Sequence, residues 1–273
     1  MKYMSVKYWL ISLLAFAMFL SGCSSTTEPD FLMTVRVASV LDYFNESQTK
    51  VDRVEMTVSA EDLGSETQEV ELVNGKVDLE LEIKPGRDRT IRLDAYDADG
   101  LLLYSGEETV DVGLGEEVTI EIRMEPQVLM IKVDPVYQRV DPNSDLVNSF
   151  QIYVYNVEDL FGVAFRINYD SSIIAPYDIE YHDFLGDDLM TLSKFERDHV
   201  AVGMTNKRGS AQVEGSGLLA TILFDPVAEG ETVLEINTQT VALRTASGFN
   251  IPNFSNLVIE NGNVVVSGSP GGK

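Results

Sequence analysis

The chain has 273 residues, with 44 acidic against 20 basic side chains, a formal net charge of −24, one cysteine, one tryptophan and two histidines. An acid surplus of that size argues against nucleic acid and against electrostatic adhesion to anionic headgroups, since both select basic patches. A lone cysteine excludes an internal disulfide, and the length suffices for two ordinary domains with cores of their own.

The first element is N-terminal. Lys2 and Lys7 precede an apolar run from Trp9 to Leu20. This order belongs to a secretory signal peptide, and the run is shorter than the roughly 20 apolar residues of a bilayer span. Leu20-Ser21-Gly22-Cys23 resembles the lipobox of bacterial lipoproteins, in which the cysteine is acylated and becomes the new N-terminus. The rival reading is an ordinary signal peptide with a cysteine placed by chance. The resemblance implies a signal peptide over 1–22, lipid attachment at Cys23 and a cell-envelope location, at the outer membrane or cell surface. Single acyl chains hold weakly, at about 0.8 kcal/mol per buried methylene, so the two or three chains of such lipoproteins supply a stable anchor. Residues 23–30 then read as a polar, flexible tether. Removing 1–22 takes away two lysines and no acid, leaving a formal charge of −26.

Beyond the tether, short β-rich runs broken by Gly, Asn, Asp and Pro replace any helical periodicity. The first group covers 31–125. Phe31–Val37, Val51–Val58, Glu69–Val73, Lys76–Ile83, Thr90–Tyr96, Leu101–Tyr104 and Glu117–Met124 alternate apolar with charged, so each strand buries one face. Asn74-Gly75 predicts a hairpin between the third and fourth of these, because both residues tolerate positive φ. The group reads as an Ig-like or transthyretin-like sandwich of about seven strands. Its stretch from Pro85 to Gly106 resembles stalk modules of bacterial surface lipoproteins. Asp94, Asp97, Asp99 and Gly100 lack the spacing and closing glutamate of an EF-hand, so they read as a β-turn before a calcium loop.

Glu125-Pro126 marks a boundary, and the second group runs over 127–267, with 268–273 as a flexible tail. Its strands include Val128–Val133, Phe150–Val157, Leu160–Asp170, His199–Thr205, Gly217–Phe224 and Asn261–Val266. Phe161, Val163, Phe165, Ile167 and Tyr169 form one buried stripe at period two, leaving Gly162, Ala164, Arg166 and Asn168 on the other face. Asn156-Val157-Glu158-Asp159-Leu160-Phe161-Gly162, Phe165 to Ile174, Asp183-Phe184-Leu185-Gly186, Gly215 to Phe224 and Asn261 to Val266 stand in the order found in cohesins. The ordered set resembles that family over about 140 residues, and implies a cohesin-like jelly-roll sandwich of about nine strands. The whole chain is therefore expected to be all-β, two tandem sandwiches after a lipoprotein signal peptide.

Cohesins bind dockerins, the small calcium-loaded helical modules of polysaccharide-degrading enzymes and other surface proteins, on one sheet face. The resemblance implies a binding face made of Arg166, Asn168, Thr191, Ser193, Ala201, Gly203 and Thr205, and a partner that is a dockerin-like or other exported protein module. The alternative is direct polysaccharide binding, for which only Tyr153, Tyr155 and Tyr177 could serve as stacking platforms. No catalytic signature, metal spacing or cofactor motif is present. His182 and His199 stand alone in sequence, and Asp183, Asp187 and Asp188 read as a solvated acidic loop before a calcium site.

Overall fold

The computed structural model describes residues 33–40, 51–72, 77–115, 117–144 and 146–268. The signal peptide over 1–22, Cys23 and its tether, the Asn74-Gly75 turn and the tail after Gly268 lie outside the described residues. Among those residues the chain is all-β, as two sandwiches, and its only helical pieces are three-residue 3-10 turns.

The first sandwich contains β1 (Met33–Val40), β2 (Arg53–Ala60), β3 (Gly64–Val70), β4 (Asp78–Ile83), β5 (Gly86–Tyr96), β6 (Leu102–Val112), β7 (Val118–Arg123) and the two-residue β8 (Glu125–Pro126). One sheet has the order β4-β1-β7 and the other β3-β2-β5-β6-β8. Between them lie Val37, Val54, Met56, Ile91, Leu93 and Ile122. β1 runs antiparallel to β4 and parallel to β7.

This topology corrects the hairpin expected at Asn74-Gly75. β3 pairs with β2 through the Ala60–Gly64 turn, whereas β4 pairs with β1 in the opposite sheet. Strand partners follow burial and cross-strand packing, which outweigh a local turn preference. The turn at Asp97–Gly100 does form. Asp97 Oδ1 accepts from the backbone N–H of Asp99 at 3.0 Å and of Leu101 at 2.8 Å, so its carboxylate closes the turn. Asp94 accepts instead from Arg92 Nε and from Ser105 Oγ, at 2.6 Å for the hydroxyl, and does not converge with Asp97.

The second sandwich contains β9 (Met130–Asp134), β10 (Tyr137–Val140), β11 (Asn148–Leu160), β12 (Gly162–Asn168), β13 (Ile174–Tyr181), β14 (Leu189–Phe195), β15 (His199–Asn206), β16 (Val213–Pro226), β17 (Gly230–Ile236), β18 (Ala242–Arg244), β19 (Val258–Glu260) and β20 (Gly262–Val266). Its sheets have the orders β13-β16-β11-β9-β19 and β10-β20-β17-β12-β15-β14, with β18 also beside β12. Val163, Phe165, Ile167 and Tyr169 are buried as the alternation requires, while Phe161 is half-buried. In the Gly-Ser-Gly entry to β16 the two glycines serve different ends. Gly215 has φ +97°, and a Cβ on Gly217 would sit 2.1 Å from the Phe184 ring.

The two sandwiches meet in a buried junction. Met130 of β9 and Val258 of β19 pack into the first sandwich's core. Beside them Tyr104 of β6 donates its hydroxyl to Glu260 Oε2 at 2.5 Å. Lys132 Nζ lies 3.6 Å from the same carboxylate and 3.8 Å from Asp134. Burial, then the Glu260 charge and hydrogen bond, hold the Tyr104 phenol proton far above its usual range. The connecting chain is also held: Gln127 N donates to Leu103 O at 2.8 Å, and Asn156 Nδ2 donates to Pro126 O at 2.8 Å and to Val128 O at 3.1 Å.

Candidate functional site

The outward face of the β18-β12-β15-β14 sheet is where most of the expected residues gather. Antiparallel register places directly opposed residues on the same face, and strands lie about 4.8 Å apart. Across the sheet, one row reads Arg244, Gly162, Thr205, Met190. The next reads Ala242, Ala164, Gly203, Leu192, and the third reads Arg166, Ala201, Lys194. A fourth begins with Glu235 and continues through Asn168 and His199.

The floor of these rows is flat because it is built from Gly and Ala. Met190 and Leu192 stand on it, 60% and 75% exposed. A Cβ on Gly162 would fall 2.9 Å from Thr205 Oγ1, so glycine is required there by close packing. Gly203 differs. A Cβ there would meet only Leu192, at 3.8 Å or more, so the fold itself does not demand a glycine.

Five of the seven residues expected on the binding face share it: Arg166, Asn168, Ala201, Gly203 and Thr205. Thr191 and Ser193 do not. They register with Met204 and Val202, whose side chains are buried, so they project from the core side of the sheet beyond the edge of the core. The outward side chains of β14 are Met190, Leu192 and Lys194, none of which the sequence singled out. Ala164, Ala242 and Arg244 join the face in the same way.

Hydrogen bonds at the ends of the strands hold this surface. Tyr169 donates its hydroxyl to Glu196 O at 2.8 Å, tying the end of β12 to the end of β14. At the other end the buried Asn206 donates to Leu185 O at 2.6 Å and Ala211 O at 3.3 Å, which joins two loops. Asn168 Nδ2 donates to Glu235 Oε2 at 3.1 Å, and Arg166 has no ion pair among the described residues. Lys194 pairs with Glu196 and holds that carboxyl below its usual range. The His199 hydrogen bond, 2.8 Å, does the same for Asp198. The face therefore combines an apolar centre with Arg166, Lys194 and Arg244, in a chain dominated by acid.

The remaining candidates lie elsewhere. His182 Nε2 is 2.9 Å from Thr221 Oγ1, and Asp188 pairs with Lys207. No group of three or more His, Cys, Asp or Glu among the described residues could hold a metal ion. Tyr153 and Tyr155 stack on each other with centroids 5.9 Å apart. Tyr155 also packs against the first sandwich's core. Tyr177 lies two strands away on β13, level with Asn148 and Ser149. The offset from Tyr153 is about 13 Å along the strand direction at roughly 3.3 Å per residue, so the three tyrosines do not form one platform.

No protein-family model and no curated protein sequence matches the chain. Solved structures similar to it include a non-cellulosomal cohesin from the hyperthermophilic archaeon Archaeoglobus fulgidus, at 10% identity over 51% of this chain and 90% of that one, with a TM-score of 0.39. Another is the third cohesin ScaC in complex with the ScaB dockerin from Acetivibrio cellulolyticus, at 18% identity over 51% of this chain and 99% of that one, with a TM-score of 0.42. CaCohA2 from Clostridium acetobutylicum matches at 16% identity over 52% and 92%, with a TM-score of 0.42.

Proposed function

We propose that residues 127–267 form a protein-docking module, displayed from the cell envelope by a lipid anchor on Cys23, and that its partner is a dockerin-like helical module of an exported protein. The ordered sequence motifs support the family reading. The observation that carries the docking role is the Gly and Ala floor of the β18-β12-β15-β14 face, with Met190 and Leu192 exposed upon it and Arg166 beside it. A flat apolar surface rimmed by polar groups suits a protein partner. In this reading the module binds and does not catalyse, and the partners carry any chemistry on polysaccharide.

The test is capture of exported proteins from the source organism with the full chain as bait. A specific partner is expected, lost on Arg166→Glu and on Gly203→Leu, which fills the floor. Charge reversal at a partly desolvated contact costs several kcal/mol, and the melting curve should not move for either variant. Retrieval of polysaccharide without protein would replace the docking reading with direct glycan binding. For the anchor, the wild type is expected in the detergent phase and Cys23→Ser in the aqueous phase. Aqueous partitioning of both would refute it.

A further inference from the structure

An exposed sheet edge offers unpaired N–H and C=O groups to any passing strand, and proteins blunt such edges with charge, proline, bulges or short length. Seven of the eight sheet edges described here follow that rule. β8, β10 and β19 have four residues or fewer. β3 exposes Ser65, Glu66, Thr67, Gln68 and Glu69, and β4 exposes Asp78, Glu80 and Glu82. β7 exposes Thr119, Glu121 and Arg123. β13 carries Pro176 and a register shift beside it.

β14 follows it least, with Lys194 as its single charge. It has seven residues in unbroken register with β15, no proline, and every residue from Met190 to Phe195 exposed. Three of those six are large and apolar.

We infer that β14 is a strand-addition edge and that its occupant is a second copy of this chain, paired antiparallel about a two-fold axis at Thr191. The sequence around Thr191 is complementary to itself in that register. Thr191 opposes the partner's Thr191. Met190 opposes the partner's Leu192, and Leu192 the partner's Met190. Asp188 opposes the partner's Lys194, and Lys194 the partner's Asp188. On the outward face, two opposite-charge pairs thus flank two apolar pairs, the combinations that favour cross-strand contact. In the single copy Asp188 and Lys194 are held only by the exposed pairs with Lys207 and Glu196. Surface pairs of that kind contribute little and exchange readily. The closed two-fold contact consumes both edges, so it ends at a dimer. The chain's overall charge opposes the contact at low ionic strength, and about 0.15 M salt screens it beyond roughly 8 Å.

The experiment uses the full chain with its native leader, expressed in bacteria and oxidised in a detergent lysate of whole cells by dioxygen with a copper–phenanthroline catalyst. Thr191→Cys places two thiols opposite each other across the axis, within reach of a disulfide. A covalent dimer is expected well above the levels of wild type and of Glu66→Cys on the polar β3 edge. Lys194→Asp and Asp188→Lys, each added to Thr191→Cys, should lower trapping about tenfold by setting like charges against each other. The swap Asp188→Lys with Lys194→Asp should restore it. Circular dichroism of the detergent-solubilised variants checks that the sheets remain. Absence of a dimer above the Glu66→Cys control overturns the inference, and so does trapping indifferent to both charge reversals. The two-fold contact leaves Arg166 and Gly203 open but covers Met190 and Leu192, which the docking face also uses, so a second copy and a docked partner compete for those two side chains. Trapping is read without any partner, so its failure and that of the docking reading are distinguishable.

Discussion

Tyr104→Phe tests the junction with the loss of a single atom. The ring is 2% exposed and its hydroxyl donates to Glu260, itself 6% exposed. Phenylalanine keeps the ring's packing, so no large cavity term enters. The loss is that of a hydrogen bond to an ionised acceptor, about 1.5–3 kcal/mol. Glu260 then retains Lys132 at 3.6 Å. For a chain of this size, 1 kcal/mol lowers Tm by about 2–4 °C, so a fall of about 3–12 °C is expected in a thermal melt of the full chain at pH 7. The alkaline limb gives the sign of the pKa shift. A phenol that holds its proton more tightly folded than unfolded contributes stability that is complete below about pH 10, the unfolded value. That stability is lost, by up to about 1.4 kcal/mol per pH unit, as pH rises beyond it. The variant should therefore be less stable at neutral pH yet decline less steeply above pH 10, with Tyr155, also raised by burial, supplying the residual slope. A double-mutant cycle with Glu260→Gln isolates the bond. A change in stability below about 0.5 kcal/mol, or the same change in the Glu260→Gln background, would refute the reasoning.

Gly217→Ala should destabilise by about 1–3 kcal/mol in urea melts, because the added Cβ meets the Phe184 ring at 2.1 Å. Gly203→Ala should leave the midpoint unchanged. Arg89 is fully buried and donates to Lys84 O at 3.0 Å, Pro85 O at 2.9 Å and the Asp62 carboxylate, whose pKa the guanidinium lowers. That contribution is present above the unfolded carboxyl value near pH 4 and is lost as pH falls through the folded one. Asp62→Asn should therefore flatten the acid limb of the stability curve. We also propose that 31–125 and 127–267 fold separately. Fragment 127–267 should melt cooperatively on its own, while fragment 31–125, stripped of Met130 and Val258, should melt at a lower temperature than in the full chain. Failure of 127–267 to fold would mean one shared core.

β12 and β15 are legible in the sequence because each packs one face on the core and turns the other outward, which forces an alternation. That alternation puts Arg166 and Asn168 on the outward face, and the resemblance to cohesins adds Ala201, Gly203 and Thr205, which share it. β14 was not legible. As an edge strand beyond the core it has no fully buried residue, and its apolar residues at 189, 190, 192 and 195 keep no period of two. Parity is not readable there, so Thr191 and Ser193 rest on the resemblance alone, whereas the register turns Met190, Leu192 and Lys194 outward. The β3 and β4 pairing escaped for a related reason: a turn signal reports on its own neighbours, whereas β4 chose β1, some 45 residues earlier. Tyr104 and Glu260 lie 156 positions apart and look like ordinary strand residues until the fold brings them together.

The parallel pairing of β1 with β7 gives the first sandwich a mechanical character. β1 leads in from the N-terminal side and β7 leads out toward the second sandwich. A pull between those two ends drags the strands past each other along their length. The ladder from Val35 beside Val118 to Val40 beside Arg123 is then loaded in shear, all of its bonds at once. A hairpin pulled at its open end would instead unzip one bond after another. If the N-terminal end is fixed to a membrane and the far sandwich holds a cargo, the strand that receives the tension is the one placed to resist it.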